Sequence, residues 1–265
     1  MEILLQSAAS AEALDLESLG RIVIGRSGSY IADCASRGSF GAVFWVVTVF
    51  SVLALLVVPY FLGSINFGII ISKLFHGEDI REYGSGNAGM TNMLRTYGKR
   101  DAAITLIGDA LKAVVAVILG RILFGISGGY VAGLTCILGH AFPCYYKFKG
   151  GKGVLVSCSI LLVIDPVTFC IVIPFFIIVV AISRYVSLGS ILSAAVYPII
   201  TFCVHMFVYN VGIERALIHT GLVLCTSILL IYMHRSNIQR LRNGTENKFG
   251  SKKKTDVMND SDVVK

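Results

Sequence analysis

Long apolar runs separated by short polar or glycine-rich stretches dominate the pattern of this chain. Seven such runs cover residues 41–74, 102–123, 128–146, 154–164, 167–183, 188–208 and 216–233. A helix needs about 20 apolar residues to cross a bilayer core, a length that most of the runs reach or approach, although 154–164 is short. Since backbone groups in lipid must bond to one another, helices are expected. The pattern predicts an all-α, polytopic membrane protein with about seven transmembrane helices.

The first run, 41–74, is longer than one crossing requires, so a tilted or kinked helix is expected, with Pro59 as the candidate bend. Its second half carries small and polar residues, namely Gly63, Ser64, Asn66 and Gly68. Such a strip is typical of close helix packing, and a ligand-facing wall is the alternative interpretation.

The ends of the chain differ from this apolar region. Residues 1–40 mix small and charged residues without a basic stretch leading into an apolar one, so they are predicted to be an extension of unknown role rather than a cleaved signal peptide. Residues 41–249 are predicted to form a membrane-embedded domain, and 250–265 are predicted to be a charged, disordered tail.

Composition supports a membrane protein, because 55% of the residues are hydrophobic while the net charge is +7. If the apolar runs alternate across a bilayer, only Arg121 and Arg215 of the segments that follow the first run lie on one side. The other side then holds Lys73, Arg81, Arg95, Lys99, Arg100, Lys147, Lys149, Lys152, Arg184, Arg235, Arg240, Arg242, Lys248, Lys252, Lys253 and Lys254. This asymmetry predicts an outer N-terminus and a cytoplasmic C-terminus, and cations scattered beside apolar spans argue against nucleic-acid binding.

Two other features of the apolar runs bear on function. Asp109 and Lys112 share a helix face in the run 102–123, where charges are costly unless they are paired, so they form either a structural ion pair or support for a site. The seven cysteines show no CxxC spacing, and therefore neither a metal site nor a disulfide framework is expected.

The glycine-rich segment 84–95, GSGNAGMTNMLR, is a candidate phosphate cradle on the predicted cytoplasmic side. Its glycines allow close backbone approach, its hydroxyls and amides add hydrogen-bonding groups, and Arg95 adds a fixed cation. The match to GxGxxG does not indicate a dinucleotide fold, because an apolar helix rather than a strand precedes it.

A second glycine-rich segment, 150–153, follows Lys147 and Lys149 on the same side. It is not a Walker A motif, since Tyr146 and Gly153 occupy positions that need Gly and Ser or Thr. We interpret it as an anion cradle with Lys152, and an ordinary flexible basic loop is the alternative.

The third segment, 234–248, leaves the last apolar run with His234 and Asn237 on one side of a short helix. Alone, it is typical of a basic membrane-exit helix, in which a histidine often only donates or accepts hydrogen bonds. The two phosphate cradles on one face suggest a reaction between two anionic partners, at least one of which carries an acyl chain. Transfer to a hydroxyl from an activated donor fits, because that reaction needs mainly positioning and charge neutralisation. A solute transporter is the alternative, although few polar residues run through the apolar spans.

Five motifs resemble those of the bacterial acyl-phosphate:glycerol-3-phosphate 1-acyltransferase family, in the family's order. They are YFLGSINFG at 60–68, REYGSGNAGMTNMLRTYGK at 81–99, GHAFPCYYKFKGGKGV at 139–154, RYVSL at 184–188 and HRSNIQRLRNGTENK at 234–248. The chain departs from the family pattern at Asn66, Met90, Leu155, Val156 and Ser236, where Pro, Ala, Ala, Thr and Glu are usual.

The resemblance implies a multi-pass enzyme of the bacterial inner membrane that moves an acyl group from acyl phosphate to the 1-hydroxyl of glycerol-3-phosphate. It implies no cofactor, no metal and no nucleic acid, and leaves protein partners unknown. The implied catalytic residues are Ser85, His234, Asn237 and Glu246. The implied phosphate-binding residues are Asn87, Thr91, Asn92, Arg95, Gly150, Gly151, Lys152 and Gly153. An inactive homologue that binds lipid without turnover is a further alternative.

Overall fold

The computed structural model describes residues 42–250, and every regular element within that range is helical, as predicted. The α-helices are α1 Ala42–Ser64, α2 Phe67–His76, α3 Met90–Thr96, α4 Lys99–Ala141, α5 Val154–Ile164, α6 Pro166–Ser183, α7 Val186–Phe207, α8 Ile213–Met233 and α9 Arg235–Arg242. Two short 3-10 helices lie at Ile80–Glu82 and Cys144–Tyr146. The predicted N-terminal extension and the tail beyond Gly250 lie outside the described residues.

Five stretches of the described chain are long and apolar enough to cross a membrane. They are Trp45–His76, Lys99–Tyr146, Pro166–Ser183, Val186–Phe207 and Ile213–Met233, while α5 is shorter. Large apolar side chains cover the outer surface of these helices, with Ile182 81% exposed and Phe207 76% exposed. A surface of this kind suits lipid contact, and the protein is a multi-pass membrane protein.

Helix α4 is two antiparallel arms rather than one rod. In a straight helix, Lys112 and His140 would lie about 42 Å apart at 1.5 Å per residue. Instead, Lys112 Nζ lies 3.0 Å from His140 Nδ1. The reversal occurs at Phe124 and Gly125, which leave helical geometry, and Gly125 adopts a φ of 62°. The turn lies in the gap predicted between the runs 102–123 and 128–146.

The first apolar run is interrupted after Ser64, whereas Pro59, the candidate bend, lies inside a continuous helix. Helix α1 continues through Pro59, and Asn66 then begins α2 by accepting a hydrogen bond from Ile69 N at 3.3 Å. Asparagine is a good N-cap, so α2 begins where a side chain can accept an N–H that has no partner within the helix.

The small residues of this run pack against α4, so the packing interpretation of the strip holds for Gly63. A Cβ on Gly63 would lie 2.1 Å from Cys136 O, and one on Gly139 would lie 2.1 Å from Tyr60 O. The polar segment that follows is not a bare loop, because it contains one 3-10 helix and α3.

The main core lies between α4, α5, α7 and α8, and includes Val117, Ile137, Val156, Tyr197 and Val223. This packing brings the end of α4, the beginnings of α5 and α7, and the end of α8 to one end of the bundle. Residues near all four helix ends line the same cavity. The fold therefore gathers the three polar segments around one space.

Candidate active site

A cavity of about 430 Å³ opens at this end of the bundle and receives side chains from all three predicted segments. Ten of the twelve predicted site residues line it: Ser85, Asn87, Thr91, Asn92, Arg95, Lys152, Gly153, His234, Asn237 and Glu246. Gly150 and Gly151 do not line it. Segments that are separated by more than fifty residues in sequence are thus neighbours in space.

Asn92 shapes the first segment from within. Its Oδ1 accepts a hydrogen bond from Ser85 N at 2.8 Å, and its Nδ2 donates to Tyr83 O at 2.9 Å and Asn87 O at 3.0 Å. The side chain is buried, and Gly84 approaches it so closely that an added Cβ would lie 2.3 Å from Oδ1. Because the loop backbone already occupies its amide, Asn92 acts mainly by fixing the loop.

Arg81 joins the first segment to the second, a role that was not inferred from sequence. Its guanidinium donates to both carboxylate oxygens of Asp79, at 2.9 and 2.7 Å, and to the carbonyls of Tyr146 and Lys149 at 3.0 and 2.8 Å. The hydrogen bonds from Arg81 lower the pKa of Asp79. A planar cation with several donors suits this junction between a carboxylate and two loop carbonyls.

Gly150 and Gly151 pack behind the cavity against His140. A Cβ on Gly150 would lie 2.0 Å from His140 O, and one on Gly151 would lie 2.2 Å from His140 Nε2. Their N–H groups donate to Ala141 O and His140 O, both at 3.1 Å. These glycines therefore allow close approach to α4, and their amides are already engaged.

Lys152 supplies the central cation of the second segment. Burial lowers its pKa to about 8, Glu246 opposes that shift, and the nearby positive charges of Arg240 and Arg95 add to it. The side chain is therefore mostly an ammonium ion at neutral pH. A half-buried cation near two arginines creates a strongly anion-attracting end of the cavity.

Glu246 organises the third segment. Its carboxylate accepts hydrogen bonds from Ser187 Oγ at 3.0 Å, Asn237 Nδ2 at 2.7 Å and Arg240 Nε at 2.7 Å. Burial acts to raise the pKa of Glu246, but the hydrogen bonds from Arg240, Asn237 and Ser187 outweigh it and the net pKa is lowered. Glu246 thus ties the chain after α9 to α7 and orients Asn237.

Ser187 and Arg240 were not predicted as site residues, yet both line the cavity. The signal for Ser187 was its place in the RYVSL motif, to which no role had been assigned. Its distance of 59 residues from Glu246 explains why spacing alone did not identify the contact.

His234 is held as a neutral imidazole with one free nitrogen. It lies at the junction of α8 and α9, and its Nδ1 is 2.7 Å from Leu230 O. A carbonyl oxygen only accepts, so Nδ1 carries the proton and Nε2 keeps its lone pair. Burial lowers the pKa of His234 to about 4, which keeps the ring neutral at pH 7. Nε2 is therefore available to accept a proton.

Part of the cavity wall is apolar. Leu155, Cys158, Ile173, Phe176 and Ile177 line that part, and a second apolar pocket of about 50 Å³ adjoins it. Within residues 42–250, no group of three or more His, Cys, Asp or Glu side chains is arranged to hold a metal ion. A cavity with one cationic end and one apolar side fits amphiphilic ligands.

The chain is similar in sequence to known proteins. Residues 53–244 match the family model described as Glycerol-3-phosphate acyltransferase. The glycerol-3-phosphate acyltransferase of Clostridioides difficile (strain 630) is 43% identical over 211 residues, covering 77% of this chain and 98% of that protein. The enzyme of the same description from Geobacter sulfurreducens is 40% identical over 199 residues, covering 74% of this chain and 97% of that protein.

Two solved structures are also similar. They are the glycerol 3-phosphate and lysophosphatidic acid forms of PlsY (YgiH), an integral membrane glycerol 3-phosphate acyltransferase. Their sequence identities are 34% and 33% and their TM-scores 0.64 and 0.62, and each comparison covers 75% of this chain and 95% of the other. The chain belongs to the glycerol-3-phosphate acyltransferase family.

Proposed function

We propose that this protein transfers a fatty acyl group from acyl phosphate to the 1-hydroxyl of glycerol-3-phosphate and so makes lysophosphatidic acid, in the first step of phospholipid synthesis. The observation that carries the proposal is the single cavity where Arg95 and Lys152 meet a neutral His234 beside an apolar wall. The two similar PlsY structures are described as its glycerol 3-phosphate form and its lysophosphatidic acid form, which are the acceptor and the product of the proposed reaction.

Substrate phosphates lie at the cationic end in this proposal. Arg95 and Lys152 neutralise their charge, and Asn87 and Thr91 supply further polar contacts from the same cavity wall. Gly153 lets the backbone turn beside Lys152 with a φ of 82°. Asn92, Gly150 and Gly151 act indirectly, since their polar groups hold the two loops in shape.

Acyl phosphate suits this site because it carries its own leaving group. The 1-hydroxyl oxygen of glycerol-3-phosphate attacks the acyl carbonyl carbon and forms the new ester bond. The bond between that carbon and the phosphate oxygen then breaks, and inorganic phosphate leaves with the electron pair. The acyl chain lies along the apolar wall near Ile173 and Phe176. No covalent enzyme intermediate is required.

The proton of the attacking hydroxyl has two available acceptors, His234 Nε2 and the departing phosphate. With a pKa of about 4, His234 is a weak base in the free site, but substrate phosphates would raise that pKa. Asn237 is oriented by Glu246, and Ser85 presents an exposed hydroxyl at the cavity edge. We assign these residues to positioning the hydroxyl and the carbonyl for attack.

The proposed topology has seven crossings. The two arms of α4 count as two and the shorter α5 as one, in addition to the crossings by Trp45–His76, α6, α7 and α8. The Lys and Arg distribution favours an outer N-terminus and a cytoplasmic C-terminus, which puts the cavity on the cytoplasmic face of the bacterial inner membrane.

The direct test uses purified protein in detergent with a synthetic acyl phosphate, with and without glycerol-3-phosphate. We expect phosphate release that depends on glycerol-3-phosphate and matches the lysophosphatidic acid formed mole for mole. Acyl-CoA offered in place of acyl phosphate serves as the donor control. Transfer from acyl-CoA alone would overturn the donor assignment, and lipid binding without any turnover would overturn the enzymatic proposal.

A further inference from the structure

A buried polar cluster lies at the wall of the cavity, with Lys112 at its centre. Lys112 Nζ is 2.8 Å from Asp109 Oδ1, 3.0 Å from His140 Nδ1, 2.9 Å from Gly63 O and 2.5 Å from Ile65 O. Lys112, Asp109 and His140 are each at most 5% exposed. We call Lys112, Asp109 and His140 the lysine cluster.

The chemistry of the ammonium group fixes the state of His140. Lysine has three N–H donors and no acceptor, and these donate to His140 Nδ1, Gly63 O and Ile65 O, while Asp109 Oδ1 is an ion-pair partner without a hydrogen bond. His140 Nδ1 therefore carries a lone pair, and the proton of the neutral ring is on Nε2. This is the tautomer opposite to that of His234, whose Nδ1 donates to Leu230 O.

His140 also contacts the second glycine-rich segment. Its Nε2 side faces Gly151, where an added Cβ would lie only 2.2 Å away, and its carbonyl accepts the Gly151 N–H at 3.1 Å. Asp109 and His140 both line the cavity. The position of the turn that presents Lys152 thus depends on the orientation of the His140 ring.

Lys112 also holds the interruption between α1 and α2. The carbonyls at the end of α1 lack helical partners, and Lys112 satisfies those of Gly63 and Ile65. Helix α2 then packs on the first glycine-rich segment, since a Cβ on Gly68 would lie 2.3 Å from Ala88 O. One ammonium group therefore connects to both segments that face the substrate phosphates.

We propose that Lys112, balanced by Asp109, is a positioning residue for acyl transfer. It fixes the tautomer and orientation of His140 and the end of α1, and through them the spacing of segments 84–95 and 150–153 around the phosphates. This inference rests on the proposed function. The competing interpretation is an ion pair that contributes to folding alone.

A doubly neutral variant separates the two interpretations. Replacing a buried ion pair by uncharged residues of similar size often preserves stability, whereas removing one partner leaves a buried charge. We expect the double variant Asp109→Asn with Lys112→Met to fold and to be more stable than Lys112→Met alone, because no buried charge is left unpaired, although the carbonyls of Gly63 and Ile65 lose their donor. Its KM for glycerol-3-phosphate should rise at least tenfold, with a smaller change in kcat. Ser127→Ala, at the opposite end of the bundle, is the matched control and should leave the KM unchanged.

The tautomer gives a second readout that a purely structural role would not alter. Nitrogen NMR of the wild type labelled at histidine should show His140 protonated at Nε2 and His234 protonated at Nδ1. In the double variant, the His140 signal should change and the His234 signal should not. A wild-type KM in the folded double variant, or a wild-type His140 protonated at Nδ1, would overturn the inference.

These outcomes are distinct from failure of the proposed function. If the wild type releases no phosphate when glycerol-3-phosphate is added, the function is wrong, and the NMR measurement still tests the tautomer. If the wild type is active and the double variant keeps the wild-type KM, only the proposed positioning role of Lys112 is wrong.

Discussion

The bundle holds histidines and acids at both ends, and the two groups differ in what surrounds them. At the cavity, His234, Lys152 and Glu246 face an open space of about 430 Å³. At the other end, His205 lies 3.3 Å from Asp165, 3.2 Å from His219 and 3.2 Å from the Tyr130 hydroxyl. We call these four residues the distal cluster, and none of them lines the cavity.

The difference shows why buried titratable residues alone do not indicate an active site. In the distal cluster each polar group has a partner within the fold, and Asp165 also accepts from Thr168 N at 3.0 Å and Tyr209 OH at 2.9 Å. At the cavity, Lys152 forms no ion pair with any described residue, and Nε2 of His234 has no hydrogen-bond partner among them. Unused charge and an unused base beside a cavity are what binding and catalysis need.

The largest expected effect distinguishes two histidines. His234→Gln should lower kcat by about 100-fold or more if Nε2 takes the proton, because general base catalysis contributes roughly 10²–10⁴-fold. The KM values should change little. The measurement is steady-state release of phosphate from acyl phosphate. Substantial residual turnover in a folded variant would assign the proton to the departing phosphate instead.

His219→Gln is the matched control at the distal cluster. His219 is also buried, and its Nε2 forms a hydrogen bond with Ser127 Oγ at 2.9 Å, but it does not line the cavity. We expect kcat within about threefold of the wild type, since replacing a buried residue away from the cavity changes stability rather than the contacts of the reacting atoms. A loss of kcat equal to that of His234→Gln would remove the functional distinction between the two ends.

The next effect concerns the cation of the second segment. Lys152→Ala should raise the KM for glycerol-3-phosphate by about 10- to 100-fold, because a hydrogen bond to a charged group is worth roughly 1.5–3 kcal/mol. The catalytic rate should fall as well, as a leaving phosphate loses its cation. An unchanged KM and kcat would show that Lys152 is only a surface charge of a basic loop.

Much of this architecture follows from local sequence pattern. Apolar length predicted the helices, and the break in apolarity near Gly125 predicted where α4 reverses. The three polar segments were expected to meet because they follow or precede spans on the same side. These features depend on residues close together in the chain, so one sequence suffices to find them.

The roles within the site depend on contacts between distant residues and were not predicted. Arg81 reaches carbonyls more than 60 residues away, and Ser187 reaches Glu246 across 59 residues. Gly151 was expected to present its amide to phosphate, but the fold uses that amide on His140. Spacing along one chain does not indicate which donors the tertiary structure occupies.

A smaller effect is the pH dependence of substrate binding. Burial lowers the pKa of Lys152 to about 8, so the ammonium form dominates below pH 8 and is lost as the pH rises through that value. The phosphate of glycerol-3-phosphate, with a second pKa near 6, is already a dianion in this range. We expect the KM to rise by up to about tenfold between pH 7 and pH 9. Lys152→Arg should remove this rise, because arginine stays charged.

The smallest effect on catalysis is expected from Asp165, whose replacement tests the distal cluster as a structural unit. Asp165→Ala removes the N-cap of α6 and leaves His205 without its carboxylate, at a cost in stability of about 3 kcal/mol. Asp165→Asn keeps the cap, so its stability should lie between that of Asp165→Ala and that of the wild type. Thermal unfolding in detergent measures the order of stability of the three proteins.

The kinetic readout of the same variants is phosphate release, which gives kcat and KM. Because the distal cluster lines no part of the cavity, kcat and KM should stay within about twofold of the wild type for the protein that remains folded. A raised KM for glycerol-3-phosphate in Asp165→Asn would instead show that the two ends of the bundle are coupled.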